Sequence, residues 1–143
     1  MIASLASRTS GNTIGTPAWE LLVGATPGEI KLLELGVFLV NPTASVLGLG
    51  VPAAIGVTPT SPVDLMPENP KGVITSGNVQ ASIAWGTPPT VPVNYFRRIS
   101  LPGTAGTGII WTFPKGLIID VGNLILWNLT GNSILDVHVV AEV

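Results

Sequence analysis

The sequence predicts an all-β chain, an antiparallel β-sandwich or jelly roll of about eight strands with an extended N-terminal arm. Three observations carry that expectation. Apolar runs of strand length recur along the chain, with turn signals roughly every 8 to 12 residues. The 17 Gly and 13 Pro among 143 residues interrupt those runs too often for a long helix to survive between them. The run closing the chain alternates most clearly. Leu135, Val137, Val139 and Ala141 fall on one face, and Asp136, His138 and Glu142 on the other.

Residues 1–17 are small and polar, with Arg8 as their single charge. Ile2, Leu5 and Ile14 are too few large apolar groups to build a core. An arm is therefore expected over 1–17, lying on a partner through Leu5 and Arg8, with one domain over 18–143. Trp19, Leu21 and Val23 alternate with Ala18, Glu20 and Leu22 as a strand. In residues 29–40, Lys31, Leu33, Leu35, Val37 and Leu39 share one face, and Ile30, Leu32, Glu34, Gly36, Phe38 and Val40 the other. A helix here would be apolar all round and would carry Gly36, so a strand is the better reading. Being apolar on both faces, that strand is expected to be covered on its outer side as well. The core is expected to take Leu33, Leu35, Val37, Leu135, Val137 and Val139.

Pro52, Pro59, Pro62, Pro67 and Pro70 make residues 51–72 a stiff loop. Val79, Ala81, Ile83 and Trp85 alternate as a further strand, followed by the rigid GTPPTVP segment. A stiff loop costs little entropy to dock, so Trp85, Pro88 and Pro89 are expected at a subunit interface. Arg97 and Arg98 are adjacent in a strand run and so point to opposite faces. Unless a bulge frees both, Arg97 needs a carboxylate or carbonyls as partners at a buried or interfacial site. The Gly-rich GTAGTG at 103–108 reads as a hairpin turn into GIIWTF, KGLII, GNLILWNL, a TGN turn and the last strand.

The charge content is the most unusual quantity. Six Lys+Arg and eight Asp+Glu give a net charge of −2, without the basic stripe that nucleic acid requires. Fourteen charged side chains must serve a surface of roughly 7,000 Å² for a monomer of this mass. Such a surface is sticky in water, so much of it is expected to be covered by copies of the chain or by another protein. No apolar run reaches the roughly 18 residues of a membrane helix. The first residues lack the pattern of a secretory signal, so synthesis and use without export are expected.

Each catalytic constellation fails on composition or placement. There is no Cys, and His138 is the single His, so no metal or thiol chemistry is expected. His138 and Asp136 share a face, but no Ser sits in a nucleophile elbow. Gly48, Gly50 and Ala53 match a dinucleotide fingerprint by chance, since Gly56 and Pro59 would end any helix opening there. Asn128 to Thr130 fits a glycosylation sequon and reads more simply as a turn. Three of the four Trp lie in strand runs, where a core position is the better reading. No catalytic residue, cofactor or metal ligand is assigned, and no enzyme is expected.

The runs WELL, KLLELGVFLVNPTASVLGLGVPA and FRRISLPGTAGTGIIWTFPKGLIIDVGNLILWNLTGNSILDVHVVAEV resemble small jelly-roll proteins of tailed bacteriophages, among them capsid decoration (cement) proteins. The resemblance spans residues 17–143 and is one of overall pattern. It implies a homotrimer on the outside of an icosahedral shell, made in the host cytoplasm, binding the major capsid protein and clamping capsomers. Leu5, Arg8 and Arg97 are then expected to contact the capsid, with no nucleic acid, membrane or small-molecule substrate involved. The alternatives are a trimeric receptor-binding or tail-fibre module and a neck or tail ring.

Overall fold

A computed structural model describes residues 1–11, 16–54 and 58–143; Ile14 and Gly56 lie outside the described residues. Among the described residues thirteen strands follow in order: β1 (Ile2–Arg8), β2 (Thr16–Val23), β3 (Glu29–Leu39), β4 (Ser45–Gly50), β5 (Thr58–Pro59), β6 (Val63–Asp64), β7 (Met66–Pro67), β8 (Val79–Ser82), β9 (Trp85–Thr87), β10 (Arg97–Leu101), β11 (Gly108–Asp120), β12 (Gly122–Thr130) and β13 (Leu135–Glu142). The first sheet is ordered β11-β3-β13-β1-β7 and the second β10-β4-β12-β2-β8-β6, with β5 and β9 forming a small separate pair. Every pairing is antiparallel. The protein is an all-β sandwich, as the alternation implies. The strand count exceeds about eight because four strands are only two or three residues long, β6 and β7 at the sheet edges and β5 and β9 in the separate pair.

The core lies between the sheets. Leu35, Val37, Leu135, Val137 and Val139 are all buried there, together with Trp19, Leu21, Leu47, Leu49, Leu124 and Leu126. Leu33 is not part of it and is only half-buried. The reason is a bulge. Strand β13 steps from Val140↔Glu34 to Ala141↔Leu32, which leaves Leu33 unopposed. Alternation therefore changes phase at Leu33, so Ile30 and Leu32 point inward before it and Leu35, Val37 and Leu39 after it. The strand looks apolar on both faces because each half is apolar on a different parity. Its outer side is not covered by the chain: Lys31 is exposed, and Glu34 and Phe38 are half-exposed.

The N-terminal arm is also corrected. Residues 2–8 are strand β1, in register with β13 from Ile2↔Glu142 to Arg8↔Asp136. Ala3 is fully buried, and Leu5 packs against the core. Beyond the strand, the Thr9 amide donates to the Leu135 carbonyl, and Thr9 Oγ1 accepts from the Leu135 amide, both at 2.9 Å. Counting large side chains misjudges this segment. Its attachment comes from backbone groups, which small residues supply as well as large ones.

The segment 51–72 is likewise more than a loop, for it provides the β6 and β7 edges of both sheets. Residues 102–107 do not make a hairpin. They carry the chain from β10 in one sheet to β11 in the other. Gly48 and Gly50 lie within β4, so no helix opens there to receive a phosphate.

Because β1 fills the gap between β13 and β7, removing residues 1–9 should unfold the protein or lower its thermal midpoint by more than roughly 10 °C. Differential scanning calorimetry of the shortened chain against the full one measures this directly.

Candidate functional site

The outward faces of the two sheets differ. On the β11-β3-β13-β1 face, register places Arg8, Glu29, Lys31, Glu34, Asp120, Asp136 and Glu142 together. That is half of the chain's charged side chains. Arg8 makes a two-pronged contact with Asp136, Nε to Oδ1 at 2.7 Å and Nη2 to Oδ2 at 2.9 Å. The guanidinium holds the Asp136 carboxyl below the usual carboxylate range. An exposed pair of this kind adds little stability, but it does satisfy the arm's single charge within its own chain. His138 Nε2 lies 2.8 Å from Glu34 Oε1. Its ring crosses directly over Gly36, where any side chain would collide with it. This is the ordinary hydrogen-bonded histidine that the strand alternation suggests. Among the described residues no three His, Cys, Asp or Glu side chains gather as a metal site.

The outer face of the second sheet is covered by the chain itself. Ile125 and Trp127 are fully buried there, outside the inter-sheet core. Tyr95 packs edge-on against Trp127 with ring centroids 6.1 Å apart. A side chain at Gly48 would meet the Tyr95 ring, so glycine permits that closeness. The Phe96 amide donates to the Leu49 carbonyl at 2.8 Å and ties the segment down. Pro89 is buried, Trp85 is half-buried, and Pro88 is exposed. Of the three residues expected at a subunit interface, only Pro88 is exposed. Asn128 is fully buried, which removes the sequon from any surface chemistry.

Beneath that layer sits Glu20, fully buried between Ser82 of β8 and Ile125 of β12. Burial pushes its carboxyl up to about 7. Asn123 Nδ2 donates to Oε2 at 3.0 Å and opposes the shift. The Trp85 indole acts in the same direction as Asn123, but its N–H and Glu20 Oε1 do not close a hydrogen bond of normal geometry.

The two lateral sides of the sandwich differ as well. On one side the chain steps from β6 in the second sheet to β7 in the first, with Leu65 buried between them. Both edges are two residues long, and β7 contains Pro67, which blunts them against pairing. On the other side β10 and β11 are both free edges, of 5 and 13 residues. Between them lies a groove of about 410 Å³ lined by Phe96, Arg97, Phe113, Pro114, Lys115, Gly116 and Leu117. The Arg97 guanidinium carbon lies 4.8 Å from the Phe113 ring centroid, and its Nη1 donates to the Phe96 carbonyl at 2.8 Å. Arg97 thus reaches from the edge of one sheet to the edge of the other while staying exposed, and a carbonyl is its partner. Arg98 is exposed too.

Leu5, Arg8 and Arg97 therefore do not form one patch. The first two belong to β1, and Arg97 stands on the open side. Sequence reasoning missed Phe96, Phe113 and Lys115. The readable signal was Pro114 inside an apolar strand run, since proline in a strand marks an edge or a bulge. Opposite Leu33, β11 steps from Thr112↔Glu34 to Leu117↔Leu32. The residues looped out, 113–116, include Gly116 at φ +76°, and they line the groove.

A pH dependence follows from Glu20. In the unfolded chain this carboxyl titrates near 4.5, and in the folded chain near 7. Between those values the folded state holds the extra proton, so stability falls as pH rises and the loss is complete above pH 7. Glu20→Gln should therefore stabilise the protein by on the order of 2 to 3 kcal/mol at pH 8 and by little at pH 4. Urea titrations at the two pH values measure the difference.

No protein-family model matches this chain, and no curated protein matches it either.

Proposed function

We propose that the chain is a structural virion protein, a decoration or cement subunit. It binds the outside of a bacteriophage icosahedral shell as a homotrimer and stabilises contacts between capsomers. The observation that carries this reading is the contrast between the two lateral sides. A soluble monomer normally blunts its strand edges. Here one side ends in two-residue strands, one of them carrying Pro67, while the other ends in strands of 5 and 13 residues, the longer one bulged at Pro114, beside an aromatic, basic groove. Phe96 and Ile110 are 44% and 49% exposed along that side. A surface of this kind suits permanent contact with another protein.

The charge distribution supports the same reading. Half of the charged side chains share one sheet face, so the remaining surface is poorer in charge than the average suggests. The charged face is suited to solvent, and the open side to the shell. Arg97 is the capsid contact on this reading, and Pro88 lies toward the trimer interface. The role is binding alone, without cofactor, metal, membrane or nucleic acid. Synthesis in the host cytoplasm precedes attachment to the virion surface.

The experiment is co-sedimentation with undecorated shells of the phage that carries the protein, alongside light scattering of the free protein. The expected result is a particle of three 14.7 kDa chains that saturates the shells and raises their disruption temperature. Arg97→Glu should keep the fold and weaken attachment by about ten-fold or more. Failure of the native protein to bind shells would overturn the reading. Incorporation into a ring at the neck or tail would replace it with the tail alternative.

A further inference from the structure

We propose that the groove between β10 and β11 is a strand-docking site for an extended, acidic polypeptide segment of the partner protein. The proposal rests on the assembly reading only for which protein supplies that segment.

Three features select this occupant. First, β11 is an edge strand whose regular stretches, Gly108–Thr112 and Leu117–Asp120, flank the looped-out residues that line the groove, so alternate backbone N–H and C=O groups of those stretches face away from the sheet and can pair with an added strand. Second, Arg97 and Lys115 supply the groove's charge, and no acid lines it. The ion pairs among the described residues are Arg8 with Asp136 and His138 with Glu34, so neither groove cation is paired. The Arg97 guanidinium is oriented by the Phe113 ring and the Phe96 carbonyl. Its remaining N–H groups form the planar fork that carboxylates accept. Third, the floor is apolar, formed by buried Phe113 and half-buried Leu117 beside exposed Phe96. An added strand alternates its side chains. One set would turn into the groove, with an apolar residue against Phe96 and a carboxylate on Arg97 or Lys115.

Charge also argues against a second copy of this chain. Its own open edge would bring Arg97 and Lys115 against like charges. The opposite edge offers only two-residue strands and Pro67, which cannot extend a ladder along β11.

The test uses the full chain, isotopically labelled, titrated with a capped octapeptide of alternating Glu and Val and with its Lys-for-Glu counterpart. The expected result is saturable amide shifts confined to residues 96–101 and 108–119 with the Glu peptide, weakened at about 0.5 M salt. Arg97→Glu together with Lys115→Glu should weaken that binding by about ten-fold or more. Glu68→Lys, on the opposite side, should leave it unchanged. If the double reversal fails to fold, Lys115→Gln alone should weaken binding by about three-fold. No saturable shift at millimolar peptide, equal binding of the Lys peptide, or shifts centred elsewhere would each overturn the proposal. Peptide binding at this edge without shell attachment would sink the decoration reading alone. Shell attachment that survives the double reversal would sink this site alone.

Discussion

The structure depends on a change of phase in one strand. Strand β3 lies between β11 and β13 and must bury side chains along its whole length. A strand with unbroken alternation would place Leu33 with Leu35 and Val37, and would push Ile30 and Leu32 into water. Leaving Leu33 unopposed on both sides lets Ile30, Leu32, Leu35, Val37 and Leu39 all face inward. Each fully buried aliphatic side chain is worth about 1.5 to 3 kcal/mol; burying Ile30 and Leu32 in place of Lys31 and Leu33 gains one such side chain and keeps the Lys31 charge in water.

The same bulge creates the groove. Where β3 carries one extra residue, β11 carries four, and they loop outward as Phe-Pro-Lys-Gly. Phe113 turns toward the core and becomes the platform for Arg97. Pro114 removes one backbone donor from the edge, and Gly116 takes the left-handed turn that a side chain would strain. The strand then resumes at Leu117, again in phase with the core. A correction to packing in the interior therefore sets the chemistry of the open side.

How legible this was depends on whether the signal is local. The alternation of Leu135 to Ala141 is local, and it correctly reports a strand with one buried face. The burial of Trp19, Trp111 and Trp127 follows from their place in strand runs. The phase change at Leu33 is not local, because it exists only relative to β11 and β13. In one dimension it resembles a strand apolar on both faces. The β1 segment hides for a related reason: a strand held by backbone pairing to the far end of the chain needs little apolar bulk. Pairing Arg8 with Asp136, 128 residues away, likewise required the fold. At the open side Arg97 was visible as a problem of parity. Lys115 and Phe113, which complete its surroundings, come from a bulge that sequence spacing could not place.

The scarcity of charge also reads differently in three dimensions. Fourteen charged groups on 6882 Å² of surface suggest a molecule uniformly short of hydration. The structure instead concentrates half of them on one sheet face and covers the other face with its own chain. Trp127 is buried against Tyr95 and Glu20 beside Trp85, and Ile125 is buried on the same face. Exposed apolar groups remain elsewhere, Val63, Met66, Val73 and Val93 among them, and Phe96 and Ile110 mark the open lateral side. There the ladder ends on two free strands, and unpaired cations stand over an apolar floor. Burying backbone edges and exposed Phe96 favours contact, and the cations restrict which contact is made, since a like-charged edge is repelled. Attraction through the apolar floor and selection through the cations act at the same place, as the proposed assembly on a different protein requires.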